Sequence, residues 1–583
     1  MTDYVAPLAD MRFTLETVAG LKRLAALPGF AHADAELVDA VMDGAAKFAG
    51  DVVGPLNAVG DKQGSKLENG VVRTPAGWKD AYKSYVDGGW NAVAFDERIG
   101  GQGLPRALGV CLTEMWTSAS MAWSLNPLLT VGAVEALDIH GTDELKRLYL
   151  PKLVSGEWPG TMNLTEPQAG SDVGAMRTRA TRDGDRYRIK GQKIFITYGE
   201  HDLTPNIVHM VLARSPDGPP GTAGLSLFLV PKFLVNPDGS LGARNDLRAV
   251  SLEHKLGIHA SPTCVMAYGD NDGAIGFLVG EENRGMECMF TMMNNARLQV
   301  GLQGLAIAER AYQQARDYAR TRVQGRPVTA AAAGAFPIVH HPDVRRMLLS
   351  MRARIAAMRA LVYYAGALLD IAHRHGDAAE RARAQARADL LIPVVKAWCT
   401  DQGVLVASTG VQVHGGMGFI EETGAAQHYR DARIAPIYEG TNGIQANDLV
   451  GRKVQRDGGA AMAALIADMR RARAGDAALT PGIDALESAT TWLVANAKDR
   501  ALTLGGAAPY LDLAGIVTAA WLLATEAAEA KRRLDAGAGD ASFNKSVLGT
   551  ARFFNEQVLA PTPGLLPAIM GGATVMEYNL ETL

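Results

Sequence analysis

The stretch RYRIKGQKIFITYGE, residues 186–200, alternates apolar with polar or charged residues and is rich in Ile, Tyr and Phe. A period of two in such residues is typical of a half-buried β-strand. Similar segments with Gly, Pro and Asp-Gly between them surround it, and together they fill residues 158–278. We therefore predict a small β-domain in the middle of the chain.

On both sides of this β-domain, apolar residues recur at helical spacing. The helical patterns before it cover residues 31–58, 77–90, 105–122 and 143–155, and those after it cover 284–320, 340–374, 378–410 and 443–475, with more helices between 480 and 558. Strand-rich and helix-rich runs are segregated and do not alternate, which predicts a mostly α, α+β fold. The predicted domains are 1–157, 158–278, 279–455 and 456–583.

The composition excludes several classes of protein. With 58 basic and 62 acidic side chains, the net charge is −4, so nucleic acid is not an expected partner. The four cysteines are widely scattered and form no CxxC pair, which argues against a zinc or iron–sulfur site and against a disulfide framework; they are Cys111, Cys264, Cys288 and Cys399. No metal is predicted.

The chain start, MTDYVAPLADMRFTLE, has acidic residues where a signal peptide would have a basic start and an apolar run. The longest uncharged apolar stretch near the C-terminus, Leu513 to Thr525, is too short to span a bilayer and predicts a buried helix. A cytoplasmic protein without a transmembrane segment is expected.

Two segments carry candidate binding chemistry around the β-domain. Residues 162–172, MNLTEPQAGSD, combine small and hydroxyl residues in a tight turn, so backbone N–H groups and hydroxyls can approach a planar ring with polar edges. In residues 190–197, KGQKIFIT, Phe195 and Thr197 lie on the same side of a strand. One could cover a ring face while the other donates to a ring nitrogen. Each segment alone could equally be a surface loop or an ordinary core strand.

Two further segments lie in the helical region. Arg322 lies at a helix end beside Gly325, a position from which its guanidinium could bind a phosphate. The other arginines of this helix indicate a solvated helix face: Arg310, Arg316 and Arg320. Residues 412–419, QVHGGMGF, let backbone approach a pyrophosphate. In residues 438–445, YEGTNGIQ, the carboxylate of Glu439 can reach a pocket because glycine follows it.

Taken together and in this order, the four segments resemble the acyl-CoA dehydrogenase family over residues 80–455. The resemblance implies a helical N-terminal domain, a middle β-barrel or sandwich and a C-terminal four-helix bundle. Both chain ends resemble a long bacterial subgroup with an N-terminal extension and an additional C-terminal helical domain. The activity it implies is FAD-dependent α,β-dehydrogenation of an acyl-CoA to trans-2-enoyl-CoA in fatty acid metabolism. The subgroup acts on 3-(methylthio)propanoyl-CoA or on medium-to-long straight-chain acyl-CoA.

The resemblance also assigns residues by motif position. Glu439 is the base that removes the α-proton, since the position used by a family variant is Ala296 here, which cannot accept a proton. The implied FAD contacts are Met162, Leu164, Thr165, Ser171, Phe195, Thr197, Arg322, Gln412, Gly416 and Thr441. The implied substrate contacts are Ser171, Asn294, Arg297, Tyr438 and Gly440. Phe195 and Asn294 stand where Trp and Asp are more usual in the family.

An FAD site shared by two subunits would make the protein a homodimer, and the family's electron acceptor is an electron-transfer flavoprotein. Two alternatives share the fold. One is an acyl-CoA oxidase, and the other is a DNA-binding alkylation-response flavoprotein, for which the basic run Arg470-Arg471-Ala472-Arg473 could be cited. A dinucleotide site at Gly100–Gly103 is disfavoured because no buried strand precedes it.

Overall fold

The structure is a computed structural model that describes residues 4–472 and 477–582. The chain divides into two compact units. We call one the sheet unit, which comprises Lys47–Leu104 and Ala119–Ala296. The other, the bundle unit, comprises the chain up to Ala46, Pro105–Ser118 and the chain from Arg297 onward. The boundaries between the four predicted domains stay predictions.

Helices dominate the first part of the chain. They span Leu8–Thr14, Leu21–Ala25, Ala35–Phe48, Leu56–Gln63, Trp78–Asp87, Arg106–Ala119, Met121–His140 and Asp143–Ser155. The helix Met121–His140 was not predicted. Fifteen of its twenty residues are buried, so no apolar stripe marks one face of the helix. Pro127 also lies inside it.

The sheet unit contains one large, mainly antiparallel sheet. Its strands run in the order Leu247–Leu252, Thr263–Tyr268, Arg186–Thr197, Ala274–Val279, Leu225–Pro231, Val208–Arg214 and Gly160–Asn163, while Arg179–Asp183 pairs with Arg186–Thr197 and Val208–Arg214. Gly160–Asn163 pairs in parallel with Val208–Arg214. Two small hairpins join Lys66–Glu68 to Val71–Arg73 and Phe233–Val235 to Leu241–Arg244.

A β-bulge interrupts the strand Arg186–Thr197. Met266 pairs with Lys193, but Cys264 pairs with Ile196, so the strand carries one extra residue. The backbone at Phe195 has φ of +60°. Because of the bulge, Lys193 and Ile196 are both buried, whereas Phe195 turns outward and stays 58% exposed.

The rest of the chain is helical. Helices span Gly285–Thr321, Pro342–Arg374, Ala378–His414, Ala425–Ala432, Asn442–Asp448, Ala460–Ala472, Thr480–Ala495, Arg500–Gly505, Ala507–Asp535, Ala541–Phe554, Leu566–Met570 and Gly572–Glu577. The single helix predicted over 443–475 is wrong. A π-helical turn follows Asp448, and Gly458 and Gly459 then adopt φ of +66° and +83°, which ends the helix.

Within the bundle unit, the helices Gly285–Thr321 and Ala378–His414 touch along their backbones. A Cβ at Gly301 would lie 2.6 Å from the Val395 carbonyl oxygen, and one at Gly304 would lie 2.2 Å from the Cys399 carbonyl oxygen. Only glycine allows so close an approach. The contact therefore fixes the stretch around Val395–Cys399 against the helix that carries Arg297.

The prediction of a solvated face around Arg310 is wrong. Arg310 is 2% exposed and Glu309 is 4% exposed. Glu309 accepts a hydrogen bond from Arg359 at 2.9 Å, and Arg359 also donates to Glu114 at 2.6 Å. Glu309, Arg359 and Glu114 thus form an interior ionic cluster, which a charge pattern alone does not distinguish from a solvent-exposed surface.

Within the residues that the structure describes, three helical segments are long and apolar enough to cross a membrane, judged by length and composition alone: Pro342–Arg374, Ala378–Phe419 and Ala507–Asp535. Between 72% and 83% of their most apolar windows is buried inside the protein. The expected absence of a transmembrane segment stays a prediction.

Candidate active site

Glu439 lies in a tight turn of the bundle unit. Its φ is +57°, and that of Gly440 is +82°. The Gln445 side-chain amide donates to the carbonyl oxygens of Glu439 at 3.2 Å and Gly440 at 3.1 Å. Positive φ at a non-glycine residue persists only where the surroundings enforce it and is frequent at functional sites. The turn leads into the helix Asn442–Asp448, whose N-cap, Thr441, accepts from the Ile444 N–H at 3.2 Å.

The electrostatic surroundings of Glu439 are unusual for a carboxylate. The side chain is half-buried. Burial raises its pKa above the ordinary value, while the positive charges of Lys396 and Arg297 act in the opposite direction. A carboxylate with a raised pKa is a better proton acceptor near neutral pH. Glu439 therefore has the properties of a general base.

Two predicted substrate contacts of the bundle unit lie close to this turn. The Tyr438 hydroxyl donates to the Gln303 side-chain oxygen, and burial raises the Tyr438 pKa strongly. Arg297 is 6% exposed and forms an ion pair with Asp448 at 3.1 Å. Arg297 thus supplies a buried positive charge beside the candidate base. Its predicted contact with the CoA moiety stays a prediction.

In the sheet unit, hydrogen bonds hold the segment that follows the strand Gly160–Asn163 against the strand Arg186–Thr197, which carries Phe195. The Thr165 carbonyl accepts from the Ile194 N–H at 2.9 Å, and the Leu164 carbonyl accepts from Lys193 at 2.8 Å. The Thr161 hydroxyl donates to the Thr197 carbonyl at 2.7 Å. The structure thereby brings together five predicted FAD contacts: Met162, Leu164, Thr165, Phe195 and Thr197.

A buried carboxylate that the sequence reasoning missed holds this arrangement in place. Glu166 accepts from the Lys193 ammonium at 2.9 Å and from the backbone N–H groups of Arg177 at 2.6 Å and Thr178 at 3.0 Å. Burial alone would raise its pKa, but Lys193 and these donors hold it at about 2. The sequence did contain a usable signal for this ion pair, because the segment 162–172 contributes Glu166 and the segment 190–197 contributes the opposite charge, Lys193.

The other predicted contacts of the sheet unit lie at the surface. Ser171 is exposed in the loop where Asp172 accepts from the Gly174 N–H at 3.0 Å. Asn294 is exposed on the helix Gly285–Thr321. Both side chains are accessible to a ligand, and their assignments as FAD or substrate contacts stay predictions.

Arg322, Gln412 and Gly416 share one corner of the bundle unit. The Tyr318 and His414 rings stack with centroids 4.4 Å apart, which brings the ends of the two long helices together. All three predicted residues at this corner are exposed. A Cβ at Gly416 would meet nothing within 4 Å, so the backbone there is open to a ligand.

Thr441 is separate from that corner. Its neighbour Asn442 bonds to Asp401, and Gln412 lies eleven positions further along the same helix, about 17 Å along the axis at 1.5 Å per residue. The bundle unit therefore offers two patches, one at Glu439–Thr441 and one at Arg322–Gly416.

These residues suit FAD on their own chemistry. Phe195 is a large aromatic left exposed beside two threonine hydroxyls, which matches a planar ring with polar edges. The exposed guanidinium of Arg322 next to open glycine backbone matches a pyrophosphate. Across residues 4–472 and 477–582, by contrast, no group of three or more His, Cys, Asp or Glu side chains could hold a metal ion.

Family comparisons match the chain in four consecutive segments. The acyl-CoA dehydrogenase N-terminal domain matches residues 38–157, the middle domain 161–270 and the C-terminal domain 283–454. A further domain, described as acetyl-CoA dehydrogenase C-terminal like, matches residues 459–579.

Several relatives match this chain over nearly their whole length. The 3-methylmercaptopropionyl-CoA dehydrogenase of Ruegeria pomeroyi is 49% identical and covers 95% of this chain and 96% of its own. The broad-specificity linear acyl-CoA dehydrogenase FadE5 of Mycobacterium tuberculosis is 33% identical and covers 96% of each.

Two solved structures share the fold. An acyl-CoA dehydrogenase from Bacillus anthracis, complexed with FAD, has a TM-score of 0.73 at 20% identity and covers 94% of this chain and 90% of its own. A chain from a study of the electron transferring flavoprotein of Acidaminococcus fermentans has a TM-score of 0.57 at 26% identity, over 71% of this chain and 96% of its own. The predicted mostly helical α+β fold is confirmed. With its domains matched in order and a relative that is 49% identical over 95% of its length, the chain belongs to the acyl-CoA dehydrogenase family.

Proposed function

We propose that this protein is an FAD-dependent acyl-CoA dehydrogenase that makes a trans-2-enoyl-CoA, with Glu439 as the base. The observation that carries the proposal is the half-buried Glu439 carboxylate, whose pKa burial raises. Glu439 takes the α-proton of the substrate. FAD, which Met162, Leu164, Thr165, Phe195 and Thr197 would help to hold, would supply the acceptor for the β-hydrogen and its electron pair. The double bond then forms between the α- and β-carbons.

The protein's own groups acidify and orient the substrate. The backbone N–H of Glu439 is assigned to the thioester carbonyl, where it would stabilise the developing enolate. The enforced turn at Glu439 and Gly440 presents that N–H and the carboxylate together. In the sheet unit, Phe195 would cover the flavin face, while Thr165 and Thr197 would bond to its polar edge.

A homodimer is part of the proposal. Around Gly416, Met417 is 47% exposed, Phe419 is 86% exposed and Ile420 is 45% exposed. A second copy would cover this apolar patch and bring Arg322, Gln412 and Gly416 to the adenine end of the FAD held by its partner. Phe419→Asp should yield monomers that lose FAD, measured by light scattering and by the flavin-to-protein absorbance ratio.

The first candidate substrate is 3-methylmercaptopropionyl-CoA, because the relative at 49% identity is named for it. Straight-chain acyl-CoA is the second, because the relative at 33% identity is named a broad-specificity linear acyl-CoA dehydrogenase. Pentanoyl-CoA is the matched control, since it has the same chain length with a methylene in place of sulfur.

The deciding experiment is anaerobic flavin bleaching with 3-methylmercaptopropionyl-, pentanoyl-, octanoyl- and palmitoyl-CoA. Bleaching by at least one thioester is expected, with the ratio of the first two rates reporting any preference for sulfur. A purified protein that is colourless and takes up no added FAD would refute the proposal.

The proposed electron acceptor is an electron-transfer flavoprotein, which the likeness to a chain from an electron transferring flavoprotein study supports. An acyl-CoA oxidase is the competing possibility. It would release hydrogen peroxide in proportion to enoyl-CoA under air, whereas a dehydrogenase would need the added flavoprotein for sustained turnover.

DNA binding has little support. Arg470 pairs with Asp484 at 2.8 Å, and Arg471 pairs with Asp468. These acidic partners neutralise the basic run, while Arg473 lies outside the described residues. A cytoplasmic location completes the proposal.

A further inference from the structure

Lys396 is a buried charge with no role in the reaction as described so far. It lies in the middle of the helix Ala378–His414 and is 0% exposed. A lysine this deeply buried is rare and costly unless it is paired. Its position is fixed by the close backbone contact of this helix at Val395 and Cys399 with Gly301 and Gly304.

The ammonium group bonds to the segment that carries Glu439. Lys396 Nζ donates to Asn442 Oδ1 at 2.8 Å, and Asn442 Nδ2 donates to Asp401 Oδ1 at 2.8 Å and to the Ala397 carbonyl at 3.1 Å. Since an ammonium only donates, it fixes which amide atom of Asn442 faces it. Asn442 is three residues after Glu439, so these bonds attach the turn to the long helix.

Lys396 and Glu439 also act on each other through charge. Burial lowers the pKa of Lys396 to about 7, against the opposing effects of Glu439 and Asp401 and with a further lowering by Arg297. Arg297 is itself paired with Asp448. Burial raises the pKa of Asp401, while the Asn442 hydrogen bond and the charges of Lys396 and Arg433 lower it. Asp401 in turn contributes to raising the pKa of Asp512 on the helix Ala507–Asp535. These are the charges that the packed elements place around the pair.

We propose that Lys396 is a positioning residue for Glu439: it holds the Glu439–Gly440 turn through Asn442 and supplies a positive charge that favours the ionised carboxylate. The inference rests on the proposed function and adds to it a residue that sets the pH range of the base. Because the two groups interact, their titration belongs to the pair.

Three variants separate the two roles. Lys396→Met removes the charge and the bond, Asn442→Ala removes the bond and keeps the charge, and Lys396→Arg restores both. Lys531→Met is the matched control, since Lys531 lies in the same unit with its side chain 67% exposed and pairs with Asp535.

The first readout is the pH profile of flavin reduction by substrate. Lys396→Met should move the acid limb up by about one pH unit or more, because it removes an opposite charge near the base. Asn442→Ala and Lys396→Arg should move it less, and Lys531→Met should leave it in place. A Lys396→Met profile that superposes on the wild type would overturn the charge role.

The second readout needs no turnover. Hydrogen exchange at residues 438–445 should quicken on the order of tenfold in Lys396→Met and in Asn442→Ala, but not in Lys396→Arg or Lys531→Met. The infrared band of the protonated Glu439 carboxyl, identified by its loss in Glu439→Gln, should persist to higher pH in Lys396→Met. Equal exchange in all variants would refute the tether.

These readouts distinguish the two failures. If no thioester bleaches the wild type but exchange and the infrared band shift as described, the proposed function fails and the positioning role stands. If the wild type is bleached and neither exchange nor the pH profile changes, Lys396 is only a core residue. Thermal melting and flavin content check that each variant is folded.

Discussion

In each unit of this protein a buried lysine lies near a glutamate: Lys193 near Glu166 in the sheet unit and Lys396 near Glu439 in the bundle unit. These two pairs differ in how the carboxylate is bonded. In the sheet unit, Glu166 receives Lys193 directly together with two backbone N–H groups, and its pKa falls to about 2. In the bundle unit, the Lys396 bond goes to Asn442, and burial keeps the Glu439 pKa raised.

The contrast shows how to tell a structural carboxylate from a reactive one. A carboxylate whose lone pairs are filled by rigid donors is held as an anion and cannot take a proton near neutral pH. A carboxylate that is desolvated, and whose positively charged neighbour donates its hydrogen bond to another residue, remains available to a substrate. On this criterion Glu166 holds the loop, whereas Glu439 has the surroundings expected of the proposed base.

The largest effect is expected for Glu439→Gln, which tests the reactive side of the comparison. Flavin reduction by substrate should slow by about 10³-fold or more, since removal of a positioned base typically costs 10²–10⁴-fold. Stopped-flow bleaching measures the rate. Bound FAD and thermal stability should stay near wild type, because the amide fills the same space.

Glu422→Gln is the control for that prediction, since Glu422 is an exposed glutamate of the same unit. It should bleach at the wild-type rate. If Glu439→Gln also bleached normally, the base would have to be assigned elsewhere.

Glu166→Gln tests the structural side. Removing one partner of a buried ion pair leaves Lys193 with uncompensated charge, so the free energy of unfolding should fall by about 3–5 kcal/mol. Urea unfolding followed by circular dichroism gives the change. Glu281→Gln, whose parent side chain is 74% exposed, should leave the unfolding midpoint unchanged. A stable Glu166→Gln protein would mean that the pair contributes no net stability.

The pH dependence of stability distinguishes the buried lysine of the bundle unit. The Lys396 pKa falls from 10.5 to about 7 on folding, so the unfolded chain binds the proton more tightly. Stability should therefore rise between pH 7 and pH 10.5, and the burial penalty applies in full below pH 7. The rise should amount to a few kcal/mol and be absent in Lys396→Met. Parallel stability curves for the two proteins would contradict the shift.

The smallest effect is expected at Phe195. Because the side chain is 58% exposed, Phe195→Ala should leave the unfolding midpoint unchanged. It should weaken FAD binding by about 1 kcal/mol, as expected for the loss of one aromatic contact. Flavin titration of the apoprotein measures this. Val250→Ala, at a residue that is 40% exposed on the same sheet, should bind FAD as the wild type does.

The sequence predicted the family and the mostly helical α+β fold because both depend on features that can be read along the chain. These features are the order of the motifs and the segregation of strand-rich from helix-rich segments. It also placed Leu164, Thr165, Phe195 and Thr197 on segments that hydrogen bonds then bring together. Hydrophobic periodicity failed to predict the structure where the buried residues do not recur at a regular spacing. The helix Met121–His140 is buried on nearly all sides, and Arg310 and Glu309 are charged yet buried.

The neighbours of the base were also beyond the sequence. Lys396 is 43 positions before Glu439, in a helix that has buried residues along most of its length. Its link to Asn442 depends on a contact between two elements that no local pattern records. The same holds for Asp448, which pairs with Arg297 across 151 positions.

The glycine seam between Gly285–Thr321 and Ala378–His414 limits how this enzyme can be altered. A methyl group at Gly304 would force the two helices apart and carry Lys396, and with it Glu439, out of alignment. Laboratory evolution toward new thioesters should therefore find its gains in side chains away from Gly301 and Gly304. Libraries that randomise those two glycines should return mostly inactive clones.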